Sequence, residues 1–340
     1  MRDLVVAGGG PVGLATALYA ARAGLDVEVR EPRPGPVDKA CGEGLMPGAV
    51  ADLAALGVDP DGHRIAGIRY LGGGRVADAP FRHGDGRGVR RTTLHRALSE
   101  AVAEAGIKIV ERAVGEVEHR DGHVLVDEEP VGFLIAADGL HSPVRRMLGL
   151  DRPADGRRRF GLRVHVEMAP WTPYVEVHWG ARSEAYVTPV GEELIGVAVL
   201  SEQQVPFDRL LAEHPLLKER LGRRPLSRTR GAGPLRQRST ARTQGRVLLV
   251  GDAAGYVDAL TGEGIALGLA HARAAVDAVV AGRPEEYEAT YKKLGRRHEL
   301  LTQTLLSSSR VPVLRRSIVP LASRLPRVFA GVVDQLARPA

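Results

Sequence analysis

Three glycines spaced Gly8-x-Gly10-x-x-Gly13, followed at a distance by Glu31, form the group in this chain whose types and spacing most plainly point to chemistry. Gly8 permits a tight turn, Gly10 leaves bare backbone for a pyrophosphate to approach, and Gly13 lets the next helix sit close to a sheet. A helix opening at Pro11, Val12 and Gly13 offers unpaired N–H groups and a positive dipole end to phosphate oxygens. Glu31 stands where a carboxylate can bind both hydroxyls of an adenosine ribose. An acid there disfavours a 2′-phosphate and predicts FAD or NAD rather than NADP. Pro32 and Arg33 follow it directly, count among the cofactor-binding residues, and open a stiff loop that runs to Pro36.

Further along, two buried-strand patterns end in small residues and an acid: Ala136-Ala137-Asp138-Gly139 and Val250-Gly251-Asp252. Carboxyl ends of parallel strands are where open α/β sheets bind ligands. Asp252 is expected to accept a hydrogen bond from a sugar or ribityl hydroxyl. The turn Thr261-Gly262-Glu263-Gly264-Ile265 opens a long apolar helix, whose N–H groups and dipole end would face a flavin's N1 and O2 edge. Lys39-Ala40-Cys41-Gly42-Glu43-Gly44-Leu45 is a glycine-rich turn able to reach back over a flat ring, with Cys41 read either as part of it or as a small buried filler. Arg91, just before a helix capped by Thr92 or Thr93, is placed to hold a phosphate or a flavin edge, or to be a solvated charge.

The elements that position these groups follow from hydrophobic period. Leu4–Ala7, Val27 with Val29, 108–110, 123–126, 133–137 and 246–250 read as strands of a parallel framework; a hairpin is expected around Gly72-Gly73-Gly74 and a short helix over 51–56. From about Arg157 to Leu200 the pattern alternates, with Phe160, Leu162, Val164 and Val166 on one face and Arg163, His165 and Glu167 on the other. This predicts an inserted, mostly antiparallel sheet, then a helix over 206–222. His165, Glu176, His178 and Tyr186 lie on that sheet as candidate acids or bases, and the alternation leaves open which of its faces meets a flavin. The domains expected are a cofactor domain over 1–156 with a small hairpin insertion at 62–88, a substrate domain over 157–240, the rest of the cofactor domain over 241–282, and a helical region over 283–340. That last region, helical from Arg296 and punctuated by Pro312, Pro320 and Pro326, carries Arg310, Arg315, Arg316, Arg324, Arg327 and Arg338 among aliphatics. It reads either as a helix packed on the substrate domain or as an interfacial helix touching anionic lipid.

Composition narrows the function classes. The 340 residues suit two domains or one with a large insertion, and 44% hydrophobic with 26% charged residues describe an ordinary globular protein. A net charge of +6 without a lysine block, and only 4% aromatics, give nucleic-acid binding little support. One cysteine excludes an internal disulfide and fits a reducing cytoplasm. A strand beginning at Leu4 predicts no signal peptide, no apolar run predicts a membrane span, and no metal site is expected.

In this order and at these separations, the glycine turn with Glu31, Asp138-Gly139 and Gly251-Asp252 resemble the FAD-dependent monooxygenase superfamily of the para-hydroxybenzoate hydroxylase fold, over residues 4 to about 282. The 39–45 and 261–265 segments look most like its geranylgeranyl reductase-like subgroup. The resemblance implies an α/β fold with a Rossmann-like, GR2-type FAD-binding sheet, an inserted antiparallel substrate sheet and a helical tail. It implies FAD as resident cofactor and NAD(P)H as a transient electron donor. Arg91 then looks like an FAD phosphate or ribityl contact, Asp138 and Gly139 like pyrophosphate supports, and Asp252 like the ribityl aspartate. Two departures from the reductases stand out: Ala259 where they carry proline, and Ala185-Tyr186-Val187-Thr188-Pro189 where they carry Tyr-x-Trp-x-Phe-Pro. The Trp-x-Trp-x-Ile-Pro segment of the related halogenases is absent. The leading expectation is therefore hydroxylation of a hydrophobic phenolic or polyketide-type substrate, with molecular oxygen as co-substrate activated at flavin C4a and His178 among the bases. The alternatives are ene-reduction of a geranylgeranyl-type lipid, with a proton from Cys41 or Tyr186, and a non-catalytic flavin or lipid sensor or carrier. The expected location is the cytoplasm, with peripheral membrane contact through the arginine-rich tail.

Overall fold

The strand Arg2–Ala7 sits at the centre of the first sheet because its residues are apolar on both faces. Leu4 and Val6 enter one core cluster, Val5 and Ala7 the other, so the run needs no polar alternation. It pairs in parallel with Val27–Arg30 on one side and Glu129–Ala136 on the other. Lys108–Val110 and Val247–Leu249 continue the parallel sheet outward. Parallel pairing brings Gly8, Glu31, Ala137-Asp138 and Val250-Gly251 out along one edge. The computed structural model describes residues 1–154, 156 and 158–337, so the expected boundary at Arg157 and the terminal Arg338 lie outside the described residues.

A second sheet of seven strands runs Arg230–Ala232, Phe160–Glu167, Leu194–Ser201, Ser183–Gly191, Tyr174–Trp179, Gly67–Gly72 and Arg75–Pro80. It is antiparallel except where Tyr174–Trp179 runs parallel to Gly67–Gly72. The hairpin expected around Gly72-Gly73-Gly74 is present, but it extends this second sheet instead of standing as a small insertion beside the first. Only its flanks, His63–Ile65 and Gly86–Gly88, form a separate three-stranded sheet, with Gly44–Leu45. The partner strand lies about a hundred residues away in sequence, beyond the reach of local pattern.

Register assigns the faces. Glu176 and His178 are opposite Val187 and Ala185, which pack against the helices Phe207–Leu211 and Pro215–Leu221. Tyr186 is opposite Val177 and Ala198, and Arg163 and His165 are opposite Ala198 and Gly196. Tyr186, Thr188, Arg163 and His165 thus share the face turned towards the first sheet's loops, where Tyr186 Oη donates to the Leu260 carbonyl at 3.1 Å.

Several local expectations change. The helix expected over 51–56 spans Pro47–Ala55, its proline at the first turn, where a missing N–H costs nothing. The single helix over 206–222 is two, because Pro215 cannot donate and forces His214 out of helical geometry. The tail is helical from Tyr287, through Tyr287–Arg310, Pro312–Arg324 and Pro326–Ala337, and Pro320 sits inside the middle helix without ending it. The last two helices lie against the hairpin strand Arg75–Pro80. Phe329, Ala330 and Val333 there join Ile68, Val175 and Val177 in one cluster, with Tyr70, Trp179 and Tyr186 packed on it.

Candidate active site

The glycine turn is built as its spacing requires. Gly8 has φ +102°, and a Cβ on Gly13 would stand 1.8 Å from the Gly8 carbonyl oxygen, so the helix Pro11–Arg22 can approach only without a side chain there. Gly10 differs: its backbone is extended, φ −72° and ψ 174°, and a Cβ would meet nothing nearer than Arg91 Nη2 at 3.6 Å. Its bareness serves no packing purpose within the protein. Pro11 fills the first helical position, so the first free N–H groups belong to Val12 and Gly13. The Val12 side chain points elsewhere and packs towards Gly251 and Gly268.

Glu31 is buried beyond the second strand, where Oε2 accepts the Gly9 N–H at 2.9 Å. Arg33 donates to it through Nε at 2.6 Å and Nη2 at 2.8 Å. Burial works against its charge, but the bonds from Arg33 and Gly9 hold the carboxyl below the usual range. Gly9, Glu31 and Arg33 form one unit, while Pro32 is exposed beside it. A ribose at Glu31 would share the carboxylate with Arg33.

Asp138 and Asp252 emerge from neighbouring strand ends. Asp138 Oδ2 accepts the Val144 N–H at 3.0 Å, capping the short helix Pro143–Met147, while its Oδ1 is buried without a partner. Gly139, at φ +88°, lies beside Lys39, whose Nζ would stand 3.2 Å from a Cβ there. Asp252 is held in a short 3₁₀ turn, and burial pushes its carboxyl up against the opposing charges of Arg91, Lys39 and Arg145. Arg145 ties the two turns together: buried, it donates to the Ala253 carbonyl at 2.9 Å, to the Leu140 carbonyl at 3.1 Å and to Asp151 at 2.7 Å. Nothing in the sequence singled it out.

Arg91 is the first residue of the helix Arg91–Glu104, and neither Thr92 nor Thr93 caps it. Glu43 does so from a distance, its Oε1 accepting the Arg91 N–H at 2.9 Å while Oε2 bonds His165 Nε2 at 2.7 Å. Glu43 holds a left-handed backbone at φ +59° and is almost fully buried. It was visible in the 39–45 segment as a residue but not as the joint between the glycine-rich loop, the Arg91 helix and the second sheet. Arg163, bonded to Asp38, and Thr188, donating to the Gly42 carbonyl at 2.8 Å, complete that joint. Cys41 is half-buried inside it, and burial pushes its thiol up. Its Sγ accepts the Glu43 N–H at 3.4 Å.

The 261–265 turn is brought to the site only in part. Gly264 and Ile265 open the helix Gly264–Val280 beside Tyr256, and Gly262 approaches Met46. The Thr261 hydroxyl turns away to Thr302, and Glu263 pairs with His298. His178, bonded to Glu176 at 3.1 Å, is on the far face of the second sheet, so the structure does not bring it to the first sheet's loops. Tyr186 is brought there, its hydroxyl raised well above its ordinary pKa by burial.

These residues fit FAD. The bare Gly10 backbone, the free helix N-terminus, the unpartnered buried Asp138 Oδ1 and the unpartnered buried Arg91 Nε are what a bound dinucleotide would engage. Residues 1–282 match the FAD binding domain family. A menaquinone reductase of Mycolicibacterium smegmatis is 32% identical over 333 residues, covering 87% of this chain and 80% of that protein. Digeranylgeranylglycerophospholipid reductase 2 of Methanothermobacter thermautotrophicus is 30% identical over 339 residues, covering 87% and 85% respectively. Among solved structures, p-nitrophenol 4-monooxygenase of Pseudomonas putida superposes with a TM-score of 0.82 at 18% identity, covering 100% of this chain and 99% of that one. At that identity the likeness is one of fold.

Proposed function

The chain belongs to the FAD binding domain family and is an FAD-dependent oxidoreductase, and from that premise we propose that it reduces a carbon–carbon double bond in a prenyl-type lipid. When bound, FAD supplies the two-electron transfer. The protein must then hold an apolar chain beside it, exclude water, and deliver one proton to the second carbon.

The observation that carries this reading is the protonation chemistry of the face opposite the glycine turn. Hydroxylating a phenol is helped by a base that ionises it. His178 and Glu176 are on the other face, and His165 is bonded to the buried Glu43. Of the acid and base candidates read from the sequence, those that remain beside the first sheet's loops are Cys41 and Tyr186, both pushed by burial to hold their protons at neutral pH. They are acids, which is what saturation of a double bond requires. Tyr186 already donates to the Leu260 carbonyl, whereas Cys41 Sγ accepts a bond and leaves its S–H uncommitted. Cys41 is therefore the proton donor in this proposal, and Tyr186 fixes the 256–263 loop.

The apolar surroundings of Tyr186 favour an apolar substrate. Tyr70, Val177, Trp179 and Tyr186 lie under the last two tail helices, with Met46 and Leu260 at the cofactor end. Menaquinone and digeranylgeranylglycerophospholipid, the substrates in the relatives' names, have a prenyl chain in common. NADH or NADPH is proposed as the electron source.

The deciding experiment supplies the purified yellow protein with NADH, NADPH or dithionite, and with polyprenyl quinones or alkylphenols, while oxygen uptake and product mass are followed. Gain of two hydrogens without oxygen, one of them from solvent, is expected. Gain of one oxygen with oxygen uptake would return the chain to hydroxylation, and tight lipid binding without turnover would make it a carrier.

A further inference from the structure

The helices Pro312–Arg324 and Pro326–Ala337 both press their buried sides onto the hairpin strand Arg75–Pro80, so their other sides face away from the protein together. That outer side is not polar. Val313, Leu314, Leu321, Leu325, Val328 and Val332 are exposed there, from 38% for Val332 to 72% for Val313, and Val76 on the hairpin is exposed beside them. A run of this size is unusual on a surface that meets only water.

Arg316, Arg324 and Arg327 are interleaved with these aliphatics. All three are exposed, and they enter none of the ion pairs among the described residues. Over 311–337 the only acid is Asp334, which is buried. The fourth arginine, Arg315, points inward, bonding the Gly180 and Ser183 carbonyls at 2.7 Å each and Glu184 at 2.6 Å. The inward arginine anchors the helix, while the outward arginines have no ion-pair partner among the described residues and the aliphatics beside them are exposed.

We infer that this face is a docking surface for an anionic lipid membrane, in which the two helices lie in the plane of the headgroups. Aliphatic side chains between guanidiniums match an interface whose headgroups are negative and whose acyl chains are apolar. A second copy of the chain fits poorly, because a two-fold contact of this face with itself would set arginines against arginines. No helix among the described residues is long and apolar enough to cross a membrane, so attachment would be peripheral. The inference deepens the reading of a lipid substrate and rests on it for its purpose: beneath the same helices, Phe329 and Val333 meet Tyr70 and Trp179 in the cluster on which Tyr186 packs.

The test uses the flavin-loaded protein and vesicles free of any prenyl lipid, of phosphatidylcholine alone or with about a third phosphatidylglycerol. Wild type should sediment with the anionic vesicles only, and less at high salt. The combined R316Q, R324Q and R327Q protein should partition roughly a hundredfold more weakly, at about fivefold per charge. The combined L321N, L325N and V328N protein should also lose binding. All six side chains are exposed, so flavin content and unfolding midpoint should not move. Equal sedimentation of wild type and both variants overturns the inference, as does a wild-type dimer that these substitutions dissolve without any vesicle binding. Turnover of a water-soluble short prenyl substrate, measured without vesicles, separates failure of the surface from failure of the proposed reaction.

Discussion

Alanine at Gly10 and alanine at Gly13 should have opposite consequences, and the contrast tests where the cofactor lies. At Gly10 the backbone is already extended, and the new Cβ would sit 3.6 Å from its nearest neighbour, an ordinary contact. Lower unfolded-state entropy should contribute about 0.4–1 kcal/mol of stability, offset by a similar loss because alanine is a poorer N-cap than glycine. Urea unfolding of the flavin-free protein should therefore change by less than about 1 kcal/mol. The methyl group would instead occupy the space reserved for the pyrophosphate. If it costs what overpacking costs elsewhere, about 1–3 kcal/mol, FAD should bind roughly five- to a hundredfold more weakly, as read by quenching of flavin fluorescence. At Gly13 the same methyl would lie 1.8 Å from a backbone oxygen where at least 3.0 Å is needed, so that variant should fail to fold properly before any cofactor is added. A Gly10→Ala protein that binds FAD as tightly as wild type would refute the placement of the pyrophosphate. One that unfolds without FAD would refute the steric reasoning.

Three further outcomes follow from the site. Cys41→Ser should lower turnover by about a hundredfold or more with flavin content unchanged, whereas Tyr186→Phe should cost only a few-fold; the reverse ranking in steady-state assays would exchange their roles. Glu43→Gln, which weakens the bonds to the Arg91 N–H and His165, should cost about 1.5–3 kcal/mol in urea unfolding, and wild-type stability in that variant would remove Glu43 as the joint. Burial pushes Asp258 up to about 6, with Arg159 opposing, so the folded chain binds this proton more tightly than the unfolded chain does. Its contribution to stability is present in acid and lost as pH rises through about 6. Relative to Asp258→Asn, the wild type should lose about 1 kcal/mol between pH 5 and 7, and identical slopes in the two proteins would contradict this.

The cofactor half of this protein was legible because its signals are local. The glycine spacing, the unalternating strands around Val5 and Ile135, and acids directly after strand ends are each fixed by steric and solvation rules within a few residues. Parallel pairing then leaves little choice about which edge carries Gly8, Asp138 and Asp252. Where local rules fall short, the cause is tertiary: Pro215 and Pro320 share a residue type, yet one splits a helix and the other lies inside a helix that packs on the hairpin.

The sequence by itself determined that the chain holds a dinucleotide at the ends of parallel strands, and that an alternating sheet and a helical tail accompany it. Tertiary structure decided what lies opposite the cofactor. A strand's side chains alternate whichever way it faces, so the pattern around Tyr186 and His178 held both orientations until register with Val177 and Ala185 sent one towards the first sheet's loops and the other to the far face. The roles of Glu43 and Arg145 likewise come from contacts made across long stretches of chain, Glu43 with Arg91 and His165, Arg145 with Ala253. No propensity or spacing encodes such contacts, because they form only once the two sheets have packed.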